Sequence, residues 1–144
     1  MKNRHLYPEN WEEISLQVRE ESGWTCEHCG KPCRRPGQSW PEFCNWLLAD
    51  VSEPWFEQLS DEVFDDEGGE WGFVDRPQRF ALTVAHLNHN PADCSRENLK
   101  ALCAPCHLRY DAGRHAKVRV ENWAKRKREA RERAGQLRLF EDNF

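Results

Sequence analysis

The chain has 144 residues, of which 38% are hydrophobic and 32% charged, and its formal net charge is −4. This composition indicates one small domain, or a small domain with appendages, whose modest core needs a further source of stability. No apolar run approaches the length of a membrane span and no signal-like segment follows Met1, so we expect a cytoplasmic protein without a membrane partner. Seven cysteines are an odd number, which argues against a fully paired disulfide framework and favours reduced thiols.

The charge is distributed unevenly along the chain. Residues 40–80 contain 11 acidic and two basic residues, whereas residues 117–138 contain nine basic and three acidic ones. A chain with such a basic segment can bind a polyanion although its net charge is negative. The total charge therefore does not exclude nucleic acid as a partner.

The N-terminal part of the sequence predicts a helix followed by a tight turn. Apolar residues at helical spacing place the helix over residues 11–22, with Asn10 as N-cap, Glu13 completing a capping box and Gly23 at the end. Residues 24–30 then form a Cys-x-x-Cys turn of the zinc-knuckle type, in which Gly30 allows a close chain reversal.

A segment that mixes aromatic residues with carboxylates follows, and we interpret it as an insertion. Its apolar residues predict short amphipathic helices that dock on the domain, and residues 65–70 predict a solvated loop. The next segment predicts a strand over residues 80–86, a turn over 90–93, a return strand over 98–102 and a helix from about Cys103 towards Gly113. A separate last helix with one thin apolar face is expected from Lys117 onward.

Two cysteine pairs have the spacing of a zinc site. Cys26 and Cys29 lie in the predicted turn, and Cys103 and Cys106 lie at the start of the predicted helix. Two pairs of thiolates, each two residues apart, can complete a tetrahedral Zn²⁺ site, and the helix dipole favours ionised thiols. The other three cysteines lack this spacing and are expected to be free thiols.

The segment from Thr83 to Asp111 resembles the HNH endonuclease motif, in the zinc-braced form found in phages and bacteria. The resemblance is carried by Thr83-Val84-Ala85-His86, by Asn98-Leu99, and by Cys103-Ala104-Pro105-Cys106-His107 with Leu108-Arg109-Tyr110-Asp111. It covers residues 20–30 and 80–112, about a third of the chain. It implies a DNA partner, a catalytic divalent ion such as Mg²⁺, and a general base, because phosphodiester hydrolysis needs an activated water and a Lewis acid.

The resemblance also assigns roles to three residues. His86 would be the general base, Asn98 would hold and orient the loop that carries it, and His107 would ligate the catalytic ion. The family usually has Asp or His, as a second metal ligand, where this chain has Ala85. His89, less readily Asn88, or water could take that place.

Four consecutive basic residues near the C-terminus are candidates for contact with the DNA backbone. They are Lys125, Arg126, Lys127 and Arg128. Such runs make non-specific phosphate contacts, but they are also common on solvated helices, and the acidic insertion is an alternative partner.

These observations predict an α+β fold, a small zinc-stapled, treble-clef-like ββα-metal domain with flanking helices and an acidic insertion. They predict a metal-dependent HNH DNA endonuclease that nicks or cuts DNA. Two alternatives remain open: a zinc-stabilised DNA- or protein-binding module without catalysis, and an accessory subunit active only with a partner such as a phage packaging motor. The expected regions are residues 1–32 (helix and knuckle), 33–79 (insertion), 80–115 (HNH core) and 116–144 (basic helix).

Overall fold

A computed structural model describes residues 3–50 and 54–141 and has an α+β fold with two separate two-stranded antiparallel sheets. The chain divides into two compact units, residues 1–107 and residues 108–144. Within the described residues, none of the helices is both long enough and apolar enough to cross a membrane. The elements in chain order are α1 (Trp11–Glu21), α2 (Trp40–Asp50), β1 (Ser60–Asp65), β2 (Glu70–Asp75), β3 (Leu82–His86), β4 (Leu99–Cys103) and α3 (Ala104–Glu141).

Helix α1 confirms the prediction from apolar spacing. Trp11 and Val18 are buried and join the core cluster that includes β3 and β4. The predicted capping box is wrong, because the Asn10 side chain makes no cap hydrogen bond. The Glu13 amide donates to the Asn10 backbone carbonyl at 3.1 Å, so this end of the helix is closed by the main chain instead.

The knuckle has the tight turn that the sequence predicts. Gly30 has φ +75°, and its amide donates to the Cys26 carbonyl oxygen at 2.9 Å. The Cys26 amide in turn donates to the Lys31 carbonyl oxygen, also at 2.9 Å. These bonds close the loop between the first two cysteines around a positive-φ position that favours glycine.

The predicted insertion contains one of the expected helices, α2, whose buried side chains pack on Phe80, two residues before β3. Phe43, Leu47 and Phe80 are each 0% exposed and form a second core cluster. The Phe43 and Phe80 ring centroids are 5.2 Å apart. This packing confirms that the segment docks on the rest of the first unit.

The second half of that segment corrects the expectation of helices only, because β1 and β2 form a hairpin. Phe64 pairs with Trp71 across the strands, with ring centroids 5.2 Å apart. The loop predicted over residues 65–70 is the turn of this hairpin, where Gly69 has φ +67°. Aromatic and β-branched residues with this alternation favour strand, and that signal outweighs the many carboxylates.

Strands β3 and β4 pair in antiparallel register from Leu82↔Cys103 to His86↔Leu99, and α3 begins at the next residue, Ala104. Hairpin and following helix agree with the predicted order. The prediction of two C-terminal helices is wrong, since α3 is continuous from Ala104 to Glu141. Gly113 lies within it, and one glycine costs a long helix only about 1 kcal/mol.

Candidate metal centre and histidine site

The four predicted zinc cysteines lie together in the structure. The sulfur atoms of Cys26, Cys29, Cys103 and Cys106 are all within 4.8 Å of one another, and three of these residues are buried. Cys29 Sγ and Cys103 Sγ are 3.8 Å apart. Zn–S bonds of about 2.3 Å in a tetrahedron place neighbouring sulfurs about 3.8 Å apart, so the cluster fits a structural metal such as zinc.

Local hydrogen bonds prepare one of these thiols for metal binding. Burial disfavours the Cys26 thiolate, but backbone hydrogen bonds from Cys103, Cys29 and His28 outweigh it and lower the pKa of Cys26 to about 7. Burial raises the pKa of the Cys103 thiol instead. Ionisation of all four thiols at these distances needs a cation among them, a charge that a bound metal ion would supply.

Cys33 lies close in sequence but outside the cluster. Its Sγ is 3.5 Å from the Lys31 carbonyl oxygen, to which it donates, and burial raises the pKa of Cys33 to about 12. Lys31 itself is 1% exposed, which sequence reasoning missed. Its ammonium donates to Gln58 Oε1 at 2.9 Å and lies 4.9 Å from the centre of the Phe80 ring. Lys31 therefore connects the knuckle to Gln58 and to Phe80, which belongs to the second core cluster.

Asn98 lies where it can fix the loop after β3. Its Oδ1 accepts the Asn88 amide at 3.0 Å, and its Nδ2 donates to Asn88 Oδ1 at 2.9 Å and to the Asp93 carbonyl oxygen at 2.8 Å. The Leu87 amide also donates to the Asn98 backbone oxygen at 2.8 Å. Both ends of the loop that begins at His86 are thus tied to one buried side chain.

His86 ends β3 beneath two aromatic rings. It is 8% exposed, and its ring centroid lies 4.9 Å from that of Trp11 and 5.7 Å from that of Tyr7. Its Nε2 is 3.6 Å from Cys94 Sγ, a contact that no sequence spacing indicated. Burial lowers the pKa of His86 from its ordinary value, and the nearby Asp93 carboxylate opposes this shift only in part. The imidazole is therefore held neutral at pH 7.

His107 lies in the first turn of α3 and is fixed by Thr83, which sequence reasoning also missed. Thr83 Oγ1 is 2.9 Å from the Leu102 carbonyl oxygen and 2.7 Å from His107 Nδ1. The carbonyl can only accept, so it takes the single hydroxyl hydrogen of Thr83. His107 Nδ1 then carries the donated hydrogen, and the neutral tautomer with this hydrogen has its lone pair on Nε2.

Ala85, which replaces the metal ligand expected from the resemblance, lies on the same face of β3 as Thr83, the hydrogen-bond partner of His107. Thr83 and Ala85 are two residues apart on a strand and share a face, and Ala85 is 1% exposed. A ligand at position 85 would therefore face the His107 side. His89 is half-buried with φ +57°, and its amide donates to the His86 carbonyl oxygen at 3.0 Å, which places it in the turn directly after the strand.

The four candidate DNA-binding residues belong to the second unit and lie on α3. Lys125, Arg126, Lys127 and Arg128 are all exposed. Lys127 Nζ lies 4.8 Å from the centre of the Trp123 ring, and Lys125 Nζ lies 3.9 Å from a Glu129 carboxylate oxygen one turn later. The run is thus on a solvated helix, which leaves its cationic groups accessible to a polyanion.

Comparisons of the chain with models of protein families, with curated proteins and with solved structures find no match.

Proposed function

We propose that the protein is a metal-dependent DNA endonuclease of the HNH type, braced by a structural zinc ion at the four-cysteine cluster. The observation that carries the proposal is the joint placement of a strand-end histidine, a loop-holding asparagine and a helix-start histidine on one zinc-knuckle scaffold. These are His86, Asn98 and His107, and Cys106 of the cysteine cluster directly precedes His107. In this interpretation, β3, β4 and the start of α3 form the ββα unit of a treble-clef-like domain.

His86 is proposed as the general base. A base must be unprotonated near pH 7, and burial lowers the pKa of His86 from the ordinary histidine value. The rings of Trp11 and Tyr7 restrict its orientation. Cys94 Sγ, 3.6 Å from Nε2, is a weak hydrogen-bonding partner. A water molecule could take its place beside Nε2 and transfer a proton to the imidazole.

His107 is proposed to hold the catalytic ion through Nε2, which bears the lone pair because Nδ1 donates to Thr83. A metal-bound histidine typically donates its other ring hydrogen to an oxygen in this way. A divalent ion, when bound, would supply Lewis-acid polarisation of the scissile phosphate. With Ala85 at the position of the second family ligand, the remaining coordination would come from His89, from phosphate oxygens or from water, as Mg²⁺ commonly allows.

A nicking assay tests this function. Purified zinc-loaded protein is incubated with supercoiled plasmid and Mg²⁺, Mn²⁺ or Ni²⁺, and the conversion to open-circular DNA is measured. We expect nicking with at least one ion and its loss in His86→Ala and His107→Ala, with His115→Ala as the matched control on exposed α3. Variants are compared only where circular dichroism shows native folding. Absence of nicking with every ion, or equal nicking by a folded His86→Ala protein, refutes the enzymatic proposal.

A second candidate function is a zinc-stabilised binding module without catalysis. Two observations favour it: Ala85 offers no ligand atom, and His86 is 8% exposed beneath Trp11 and Tyr7. Metal titration by calorimetry separates the two functions. A binding module takes up one tightly held zinc and no second ion, whereas the proposed nuclease binds a second divalent ion that His107→Ala removes.

A further inference from the structure

The hairpin β1–β2 presents its aromatic side chains to solvent. Phe64, Trp71 and Phe73 are 47%, 67% and 76% exposed. Phe64 pairs with Trp71, and the next pair on the same face is Glu62 with Phe73. The opposite face, with Val63 and Gly72, is the half-buried one. The exposed face leaves on the order of 400 Å² of aromatic surface, as large as the biggest apolar patch on a typical monomer, and such patches mark interaction sites.

The charge of the hairpin restricts what can cover this face. Residues 60–75 contain seven acidic residues and no basic one. Of these carboxylates, Asp61 is paired with Arg76 and Arg79, both at 2.7 Å. A nucleic acid would be repelled by the others, and an exposed face of two strands offers no enclosure for a small molecule. The surface therefore suits a protein segment that combines positive charge with apolar side chains.

The second unit of the same chain has that chemistry. Trp123, Lys127 and Arg131 succeed one another at four-residue intervals and so lie in one row along α3. Val120, one turn before Trp123, is 66% exposed, and Trp123 is 63% exposed. An acidic aromatic surface and a basic helical surface with an exposed tryptophan are thus both present in every copy.

We propose that the protein self-associates, with the acidic aromatic hairpin of one copy bound to the Trp123–Arg131 row of a second copy. A second copy that returns the same contact would complete a two-fold dimer in which both complementary surfaces are covered. The aromatic rings supply the apolar contact area, while the opposite charges speed association and align the two surfaces. This assembly is independent of whether the histidine site cleaves DNA.

Sedimentation velocity on the full-length, zinc-loaded protein tests the proposal. At roughly 20 mM salt we expect a species of twice the 17.0 kDa chain mass, and we expect it to dissociate at roughly 0.5 M salt, where charges are screened over a few ångströms. Trp71→Ala with Phe73→Ala should weaken the dimer at least tenfold. The matched control Leu48→Ala removes an apolar side chain that is 58% exposed on α2 and should leave the dimer unchanged.

A charge exchange then identifies the two surfaces. The hairpin variant carries Glu62→Lys and Asp75→Lys, and the helix variant carries Lys127→Glu and Arg131→Glu. Glu62 and Asp75 are the acidic residues on the exposed aromatic face, so each variant alone brings like charges together at that contact and should be monomeric. An equimolar mixture restores both attractive contacts and should sediment as a heterodimer. A wild-type protein that is monomeric at low salt overturns the proposal, and so does a mixture of the variants that remains monomeric.

Discussion

Replacement of Asn98 by alanine tests whether one buried side chain holds the loop after β3. Asn98 is 9% exposed, and its amide group makes three hydrogen bonds, two with Asn88 and one with the Asp93 carbonyl oxygen. Each such bond contributes about 0.5–1.5 kcal/mol net, and water reaches part of the exposed Asn88 side. We therefore expect Asn98→Ala to lower the free energy of unfolding by about 2–3 kcal/mol.

The assay is urea denaturation at fixed saturating zinc, followed by tryptophan fluorescence and circular dichroism, with the free energy taken from the linear extrapolation. Asn98→Asp retains an oxygen that accepts the Asn88 amide but turns a second acceptor oxygen towards Asn88 Oδ1 and the Asp93 carbonyl oxygen, so its loss should be at least as large as that of alanine. The matched control is Asn45→Ala, because Asn45 is exposed on α2 and alanine favours helix. A loss below about 0.5 kcal/mol for Asn98→Ala would show that the loop is held by other contacts and would refute the reasoning.

Three further outcomes follow from the site and the core. Cys103→Ser should abolish stoichiometric zinc by mass spectrometry of metal content and unfold the first unit, whereas Cys44→Ser, outside the cluster, should retain the metal. Phe80→Ala removes a fully buried ring and should cost about 3–5 kcal/mol in denaturation, while Phe73→Ala, at a 76% exposed ring, should cost less than about 0.5 kcal/mol. The imidazole of His86 should titrate below 6.5 in NMR spectra; since its folded pKa is lowered, the stabilisation it provides is present above the unfolded pKa and is lost as pH falls through the folded pKa. A midpoint at or above 6.5 would contradict the assigned burial.

The features that the sequence predicts well are those encoded by local spacing. Two Cys-x-x-Cys pairs predict a shared metal site because each pair supplies two thiolates from a single turn, whatever structure the intervening residues adopt. Strand β3 and helix α1 follow from periodic apolar residues whose burial the structure confirms. His86 at a strand end and His107 in the first helical turn follow from the boundaries of the same elements.

Partners that depend on three-dimensional packing could not be read from the sequence. Thr83 and His107 are 24 residues apart, so no local pattern indicates their hydrogen bond. Cys94 has no spacing that links it to His86, and Lys31 looks like an ordinary surface lysine. The hairpin β1–β2 was missed because its aromatic residues lie on the exposed face. Strand alternation normally places such residues inside, so their mixture with carboxylates pointed instead to short amphipathic helices and a solvated loop.

The zinc cluster and the histidine site are mechanically linked through the outer edge of β4. The Glu27 amide donates to the Ala101 carbonyl oxygen at 2.9 Å, and the Ala101 amide donates to Glu27 Oε2 at 2.6 Å. The knuckle thereby covers the outer edge of β4 at Ala101, the residue that pairs with Val84 of β3 on the other side. Cys103 ends that strand, and His107 lies four residues later. Loss of the metal would therefore release the edge of β4 and the start of α3 together, so the position of His107 depends on the cysteines that hold the metal.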